Sequence, residues 1–212
     1  YVATVNLQLY PSTETLSPAN RLERVKLAFL SDAFSHVQLV EGRLPRSLTE
    51  TNGKVEALVA LDLANALDLQ VGQTYALFLP ASGPTPAYRT DVQITGIWVA
   101  SDSQEAFWGI YPADAFQKKL LVQEDTWWTA TEPIPTPVDE AAWRMALDGT
   151  GITSERVPDL LTRIGQVQNR TAALLPYTDL ERSPVAALRE YRSKAQALTG
   201  SLFAFSVPVL GL

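Results

Sequence analysis

The chain has 212 residues, enough to bury a sizeable core. It carries 17 basic and 23 acidic residues and a net charge of −6, which argues against a nucleic-acid partner because phosphate binding relies on clustered lysine and arginine. The absence of cysteine excludes disulfides, a thiolate nucleophile and a cysteine metal site. With 46% hydrophobic and 19% charged residues, the composition is that of a globular domain.

The first forty residues predict a strand, a helix and a second strand. Residues 2–9 alternate apolar and polar side chains at period two, which is typical of a half-buried strand. After the cap-like Ser17-Pro18, residues Leu22, Val25, Phe29 and Ala33 recur at helical spacing. Residues 36–40 predict a short strand. This segment is interpreted as a β-α-β unit.

Residues 44–140 contain mostly strand-like patterns and predict a β-rich inserted subdomain. Gly96 lies inside a long predicted strand, Tyr88 to Val99, and indicates a bulge or a close backbone approach. The predicted elements are strands at 55–61, 74–79, 88–99 and 120–122, with helices at 63–67 and 112–119.

A second β-α-β unit is predicted near the end of the chain, from a strand at 141–147, a helix at 157–174 and a strand at 177–182. The two units would pair into one four-stranded sheet, as in a split β-α-β fold. The expected fold is therefore α+β, with a discontinuous porter-like or ferredoxin-like core from 1–43 and 141–198 and the insertion between them.

The last fifteen residues contain no charged side chain, and a helix is predicted to enter them from Ser183-Pro184. A helix that is apolar all round must be buried in protein or lipid. Residues 199–212 are therefore interpreted as the start of a transmembrane helix. The alternative is a helix packed on its own domain. The first residues, from Tyr1, show no signal-peptide pattern, and the chain is expected to belong to a longer one at both ends.

Candidate catalytic groups are sparse. His36 is the single histidine and has no carboxylate or nucleophile near it in sequence. The acidic pairs Glu124-Asp125 and Asp139-Glu140 are interpreted as helix starts or solvated loop residues, with a carboxylate hydrolase as the less favoured alternative. No nucleotide-binding motif or metal-ligand cluster is present. The sequence predicts no enzyme, no cofactor and no metal site.

Five tryptophans remain as functional candidates, and several aromatic residues crowd the second half of the insertion. Trp108, Trp127 and Trp128 are selected as a candidate partner or ligand surface. Core packing is the competing interpretation. Trp127 and Trp128 are adjacent, so on a strand they would point to opposite faces and at least one would be exposed.

Three segments resemble a known family when they are taken in order. They are Val40-Glu-Gly-Arg-Leu-Pro45, the helix-and-turn segment ANALDLQVGQT at 64–74, and Val92-Gln-Ile-Thr-Gly-Ile97. Together they resemble the extracytoplasmic core domain of MacB/FtsX-type ABC transporter permeases. Asp68 stands where that family favours glycine, and Gln73 where it favours aspartate.

The resemblance implies a non-catalytic, extracytoplasmic domain of a cell-membrane permease that couples a cytoplasmic ATPase to movement or partner engagement outside the membrane. It implies contact with the membrane through the chain ends, and a second permease copy or an extracytoplasmic protein as further partners. The alternative function is a cell-surface ligand-binding or adhesion module that uses the tryptophan-rich surface.

Overall fold

The computed structural model describes residues 1–12, 16–51, 53–82, 87–108, 116, 118–143, 149–175 and 183–206. These residues form a mixed α+β structure, as predicted. The strands are β1 Val2–Tyr10, β2 Glu23–Leu30, β3 Val37–Gly42, β4 Val55–Ala60, β5 Thr74–Leu79, β6 Tyr88–Ala100, β7 Lys119–Leu121 and β8 Glu140–Ala142. The α-helices are α1 Leu61–Leu67, α2 Glu124–Thr131, α3 Val157–Leu174 and α4 Val185–Ser206.

Six of the described strands close into a barrel. Around the ring the order is β1-β2-β7-β4-β6-β5, and β5 pairs with β1 to complete it. The β2–β7 and β4–β6 pairs are parallel, whereas the other four pairs are antiparallel. Strand β3 pairs with β6 and β8 pairs with β1, both outside the ring.

The period-two pattern of β1 explains where the core lies. Its alternate residues Ala3, Val5, Leu7 and Leu9 are buried in the larger hydrophobic cluster, together with residues of all the other barrel strands. Val2 faces the other way and joins a second, smaller cluster that contains Trp98 and Trp108. Since both faces of β1 are mostly covered, the strand is more buried than the half-buried one that its pattern predicted.

The helix predicted around residues 22–33 is wrong, because this segment contains strand β2. Val25 and Phe29 are four residues apart, a spacing that fits one helix face and also one strand face. Pairing with β1 over eight residue pairs, from Leu9 with Glu23 to Val2 with Leu30, decides between them. Residues 1–43 thus form three strands rather than a β-α-β unit, and the split β-α-β arrangement is not confirmed.

The barrel also crosses the boundary that was predicted between residues 43 and 44. Strand β1 pairs with β5, and β2 pairs with β7. The chain divides instead into two compact units, Tyr1–Ala146 and Leu147–Leu212. The strands predicted within 44–140 are all present, with bounds that shift by one residue or less. Most of the helix predicted at 112–119 lies outside the described residues.

The second unit is helical in its described part. Helix α3 matches the predicted bounds, and α4 begins directly after Ser183-Pro184, as the cap signal predicted. The two helices contact each other. The strand predicted at 177–182 lies outside the described residues. None of the described helices has the length and apolarity that a membrane crossing requires. Residues 207–212 are not described, so the membrane assignment of 199–212 stays a prediction.

Candidate functional site: three segments around strand β6

The turn after β3 and the middle of β6 approach each other without intervening side chains. Gly42 pairs with Gly96, and Arg43 N donates a hydrogen bond to Thr95 O at 2.8 Å. Gly42 has φ +82°, and a Cβ on it would lie 2.2 Å from Thr95 O. A Cβ on Gly96 would lie 2.7 Å from Arg43 O. Only glycine fits at either position, which confirms the close approach predicted at Gly96.

The segment that follows α1 contacts β6 at Ile94, two residues before Gly96. Gly72, at φ +88°, donates from its N–H to Ile94 O at 2.7 Å, and Ile94 N donates back to Gln73 O at 3.0 Å. Asp68 ends α1 in the left-handed conformation at φ 52°. Glycine is the usual residue there, and aspartate tolerates it better than most. The three segments that carry the family resemblance therefore meet along residues 94–96 of β6.

A buried carboxylate joins the Gly42 turn to β4. Glu56 is only 2% exposed and receives two hydrogen bonds of 2.6 Å from the guanidinium of Arg43. Arg46 adds a backbone N–H bond at 2.9 Å and a guanidinium bond at 3.0 Å. Both carboxylate oxygens are occupied, in the paired geometry that arginine makes best. We call these three residues the Glu56 cluster.

The charge state of this cluster follows from its hydrogen bonds. Bonds from the Arg43 guanidinium lower the pKa of Glu56 to about 2, with further lowering from Arg46, even though burial acts in the opposite direction. A general acid or base at neutral pH needs a pKa near the working pH. Glu56 is fully ionised there, so the arrangement favours a structural role in fixing the turn.

The tryptophan surface predicted from sequence is wrong for two of its three residues. Trp108 is 1% exposed and Trp127 is 0% exposed, whereas Trp128 is 43% exposed. Trp127 also donates from Nε1 to Leu27 O at 2.9 Å inside the barrel unit. Residues 127 and 128 lie on helix α2 rather than on a strand, and the 100° step between neighbours places one ring inside and one outside. Core packing, the competing interpretation, applies to Trp108 and Trp127.

The remaining candidates are separated from one another. Glu124-Asp125 opens helix α2, as predicted, while Asp139 and Glu140 form ion pairs with Lys26 at 3.6 and 2.7 Å. His36 Nδ1 lies 2.8 Å from Glu105 Oε2. Its carboxylate partner is thus 69 positions away, and sequence spacing gave no signal for it. Among the described residues, no three histidine or acidic side chains are grouped as metal ligands would be.

Two tryptophans should account for the quenchable fluorescence of this chain. Trp128 and Trp143 are 43% and 61% exposed, whereas Trp98, Trp108 and Trp127 are at most 4% exposed. We expect the uncharged quencher acrylamide to quench only part of the emission, and the double variant Trp128→Phe, Trp143→Phe to lose most of the quenchable part. Equal quenching before and after the double substitution would contradict this burial pattern.

Two features of this region were not predicted from the sequence, namely the Glu56 cluster and the exposure of Trp143. One signal for Glu56 was available, because it is the only charged residue in the apolar run of β4, and buried carboxylates are normally paired. For Trp143 there was none. Comparison with known proteins adds no assignment: no family model matches the chain, and the search of curated proteins gives no match.

Proposed function

We propose that the chain is an extracytoplasmic domain of an ABC transporter permease, which couples a cytoplasmic ATPase to movement or partner engagement outside the membrane. The domain would reach that ATPase through the rest of the permease. Its own contribution is mechanical rather than catalytic.

The observation that carries the proposal is the convergence of the three resembling segments on β6. One close backbone contact requires glycine at both position 42 and position 96. Gly72 donates a hydrogen bond to Ile94, two residues before Gly96. Short matches scattered over a chain arise easily by chance. Here the three matched segments are spatially contiguous, and the identities of Gly42, Gly72 and Gly96 each have a backbone reason, which supports a shared structural unit.

The barrel suits a mechanical role. A closed ring has no free strand edge to peel, and close-packed interiors transmit displacement instead of absorbing it. The Glu56 cluster fixes the turn after β3 to β4 by charge-assisted bonds. Such a unit would move as a body when the connected membrane segments move.

Of the predicted porter-like core, the proposal keeps only the C-terminal part. Strand β8 pairs with β1, and helix α3 has the predicted length. The β-α-β unit expected within 141–198, including its last strand, remains a prediction. The N-terminal counterpart is replaced by the three strands β1, β2 and β3.

Site-specific labelling tests the extracytoplasmic placement. The chain contains no cysteine, and Ser103 is exposed and close in size to cysteine. In the full-length gene product, freed of any other cysteine, we expect Ser103→Cys to react with a membrane-impermeant maleimide in intact cells.

The matched control is Ala57→Cys, because Ala57 is 0% exposed in β4. It should react only after denaturation, which shows that the domain is folded during labelling. If Ser103→Cys reacts only after cell lysis, the domain faces the cytoplasm and the proposal fails.

A further inference from the structure

An aromatic patch lies at the end of the barrel where β1 begins. The register that pairs Val2 with Ala142 brings Tyr1 beside Trp143, and their rings stack at a centroid distance of 5.3 Å. Tyr1 also contacts Phe29 edge-on at 5.2 Å, and Phe29 lies 5.9 Å from Trp128. Phe29 is buried beneath the others. The accessible members are Tyr1, Trp128 and Trp143, which we call the aromatic patch.

A carboxylate borders this patch. Burial raises the pKa of the Tyr1 hydroxyl, and the negative charge of Glu124 raises it further, which places Glu124 near that ring. Glu124 and Trp128 are four residues apart on α2, hence on the same helix face. Glu124 is exposed and forms no ion pair with any described residue.

The segment that carries Trp128 and Trp143 is acidic as well. Residues 124–143 contain five acidic residues and no lysine or arginine. Lys26 pairs with two of the five, Asp139 and Glu140. Arg144 follows this segment but lies outside the described residues. The charge beside the aromatic patch complements a cation.

The size of the patch limits what it can hold. A tryptophan side chain offers up to about 250 Å², so exposures of 43% and 61% leave roughly 260 Å² on the two indoles together. A stable protein interface needs about 800 Å² from each partner. The patch by itself therefore fits a small group.

We propose that the aromatic patch with Glu124 binds an organic cation of the trimethylammonium type. Aromatic faces attract quaternary ammonium groups through the ring quadrupole, and the methyl groups contact the rings while the charge faces the carboxylate. Stacking of Tyr1 on Trp143 fixes both rings before binding, which lowers the entropy cost. This inference does not depend on the proposed function.

Titration with choline chloride tests the proposal, with the indole N–H signals in nuclear magnetic resonance as the readout. Of five indole signals, we expect the two from Trp128 and Trp143 to shift in a saturable way, and single phenylalanine substitutions assign them. The Glu124→Gln and Trp143→Ala variants should each bind at least about fivefold more weakly. Sodium chloride at equal concentration should produce no saturable shift.

Matched variants separate the site from general effects. Asp62 opens α1 as Glu124 opens α2 and is likewise exposed, so Asp62→Asn should bind choline like the parent. The uncharged isostere 3,3-dimethyl-1-butanol should bind at least about fivefold more weakly than choline. Equal binding of the isostere, no saturable shift of the two signals, or equal loss in Asp62→Asn would each overturn the proposal.

The trimethylammonium group could come from a free solute or from a lipid headgroup, and vesicles distinguish these sources. If a phosphatidylcholine headgroup is the ligand, the protein should sediment with phosphatidylcholine vesicles and choline should release it. If the ligand is a free solute, choline should bind while the vesicles do not. Binding to phosphatidylglycerol vesicles alone would contradict cation recognition.

Discussion

Replacing Gly42 with alanine is expected to destabilise the barrel by about 3 kcal/mol. A positive φ costs a non-glycine residue about 1–2 kcal/mol, and forced displacement of packed atoms costs about 1–3 kcal/mol more. The new Cβ would lie 2.2 Å from Thr95 O and 2.8 Å from Gly96 Cα, and both are backbone atoms that cannot rotate away. Urea unfolding followed by tryptophan fluorescence measures the effect. All five tryptophans lie within residues 98–143, so this signal reports on the barrel unit.

Substitutions at two further glycines separate the cost of the positive φ from the cost of the close contact. Gly53 has φ +87° with nothing within 4 Å of an added Cβ, so Gly53→Ala should cost only the backbone part, about 1–2 kcal/mol. Gly96 is crowded without a positive φ, so Gly96→Ala reports on the contact alone. Equal losses in Gly42→Ala and Gly53→Ala would mean that the Gly42–Gly96 contact contributes nothing.

Replacing Glu56 with glutamine is expected to lower the free energy of unfolding at pH 7 by about 3 kcal/mol. The substitution keeps the shape of the side chain but removes the charge that both Arg43 and Arg46 contact. Hydrogen bonds to a charged group each contribute about 1.5–3 kcal/mol. A pKa lowered from 4.5 to about 2 corresponds to about 3 kcal/mol of preference for the ionised form.

The effect of this variant should depend on pH in a defined direction. The folded-state pKa of Glu56 lies below its ordinary value of 4.5. Its ionised carboxylate therefore stabilises the fold fully above about pH 5, and this contribution is lost as the pH falls from there toward 2. We expect the stability difference between parent and Glu56→Gln to shrink toward zero across that window.

The matched control is Glu41→Gln. Glu41 lies next to the Gly42 turn but is exposed, and surface substitutions usually change stability by less than about 0.5 kcal/mol. A difference between parent and Glu56→Gln that stays constant from pH 7 to pH 3 would show that the Glu56 charge is not the cause.

The strands of the middle segment could be predicted because their local signals agree. Residues 74–79 and 88–100 are rich in apolar, β-branched or aromatic side chains, and they are bounded by Gly72 and a proline-rich sequence. The helix predicted across Val25 and Phe29 failed because their spacing satisfies both periods. What decides that segment is its pairing with β1, a tertiary interaction that a local pattern does not contain.

In the candidate site, too, some residues could be predicted from local sequence and others could not. Gly96 carried a readable signal, since glycine inside a strand often marks close backbone approach. Its partner Gly42 and the paired carboxylate Glu56 come from other elements, and nothing in sequence spacing joins them. Trp127 and Trp128 lie on a helix and not on the strand that was considered from the sequence. The prediction that the two side chains face different ways is nevertheless correct.

Barrel closure also sets the order in which this chain can fold. Strand β2 finds its second neighbour only at Lys119–Leu121, more than ninety residues later. Until β7 has been synthesised, β2 and β4 each expose a row of unsatisfied backbone groups, and such edges recruit other chains. Pairings this distant in sequence make folding slow. Fragments that end before β7 should therefore aggregate during synthesis, whereas chains that extend past it have the strand that closes the ring.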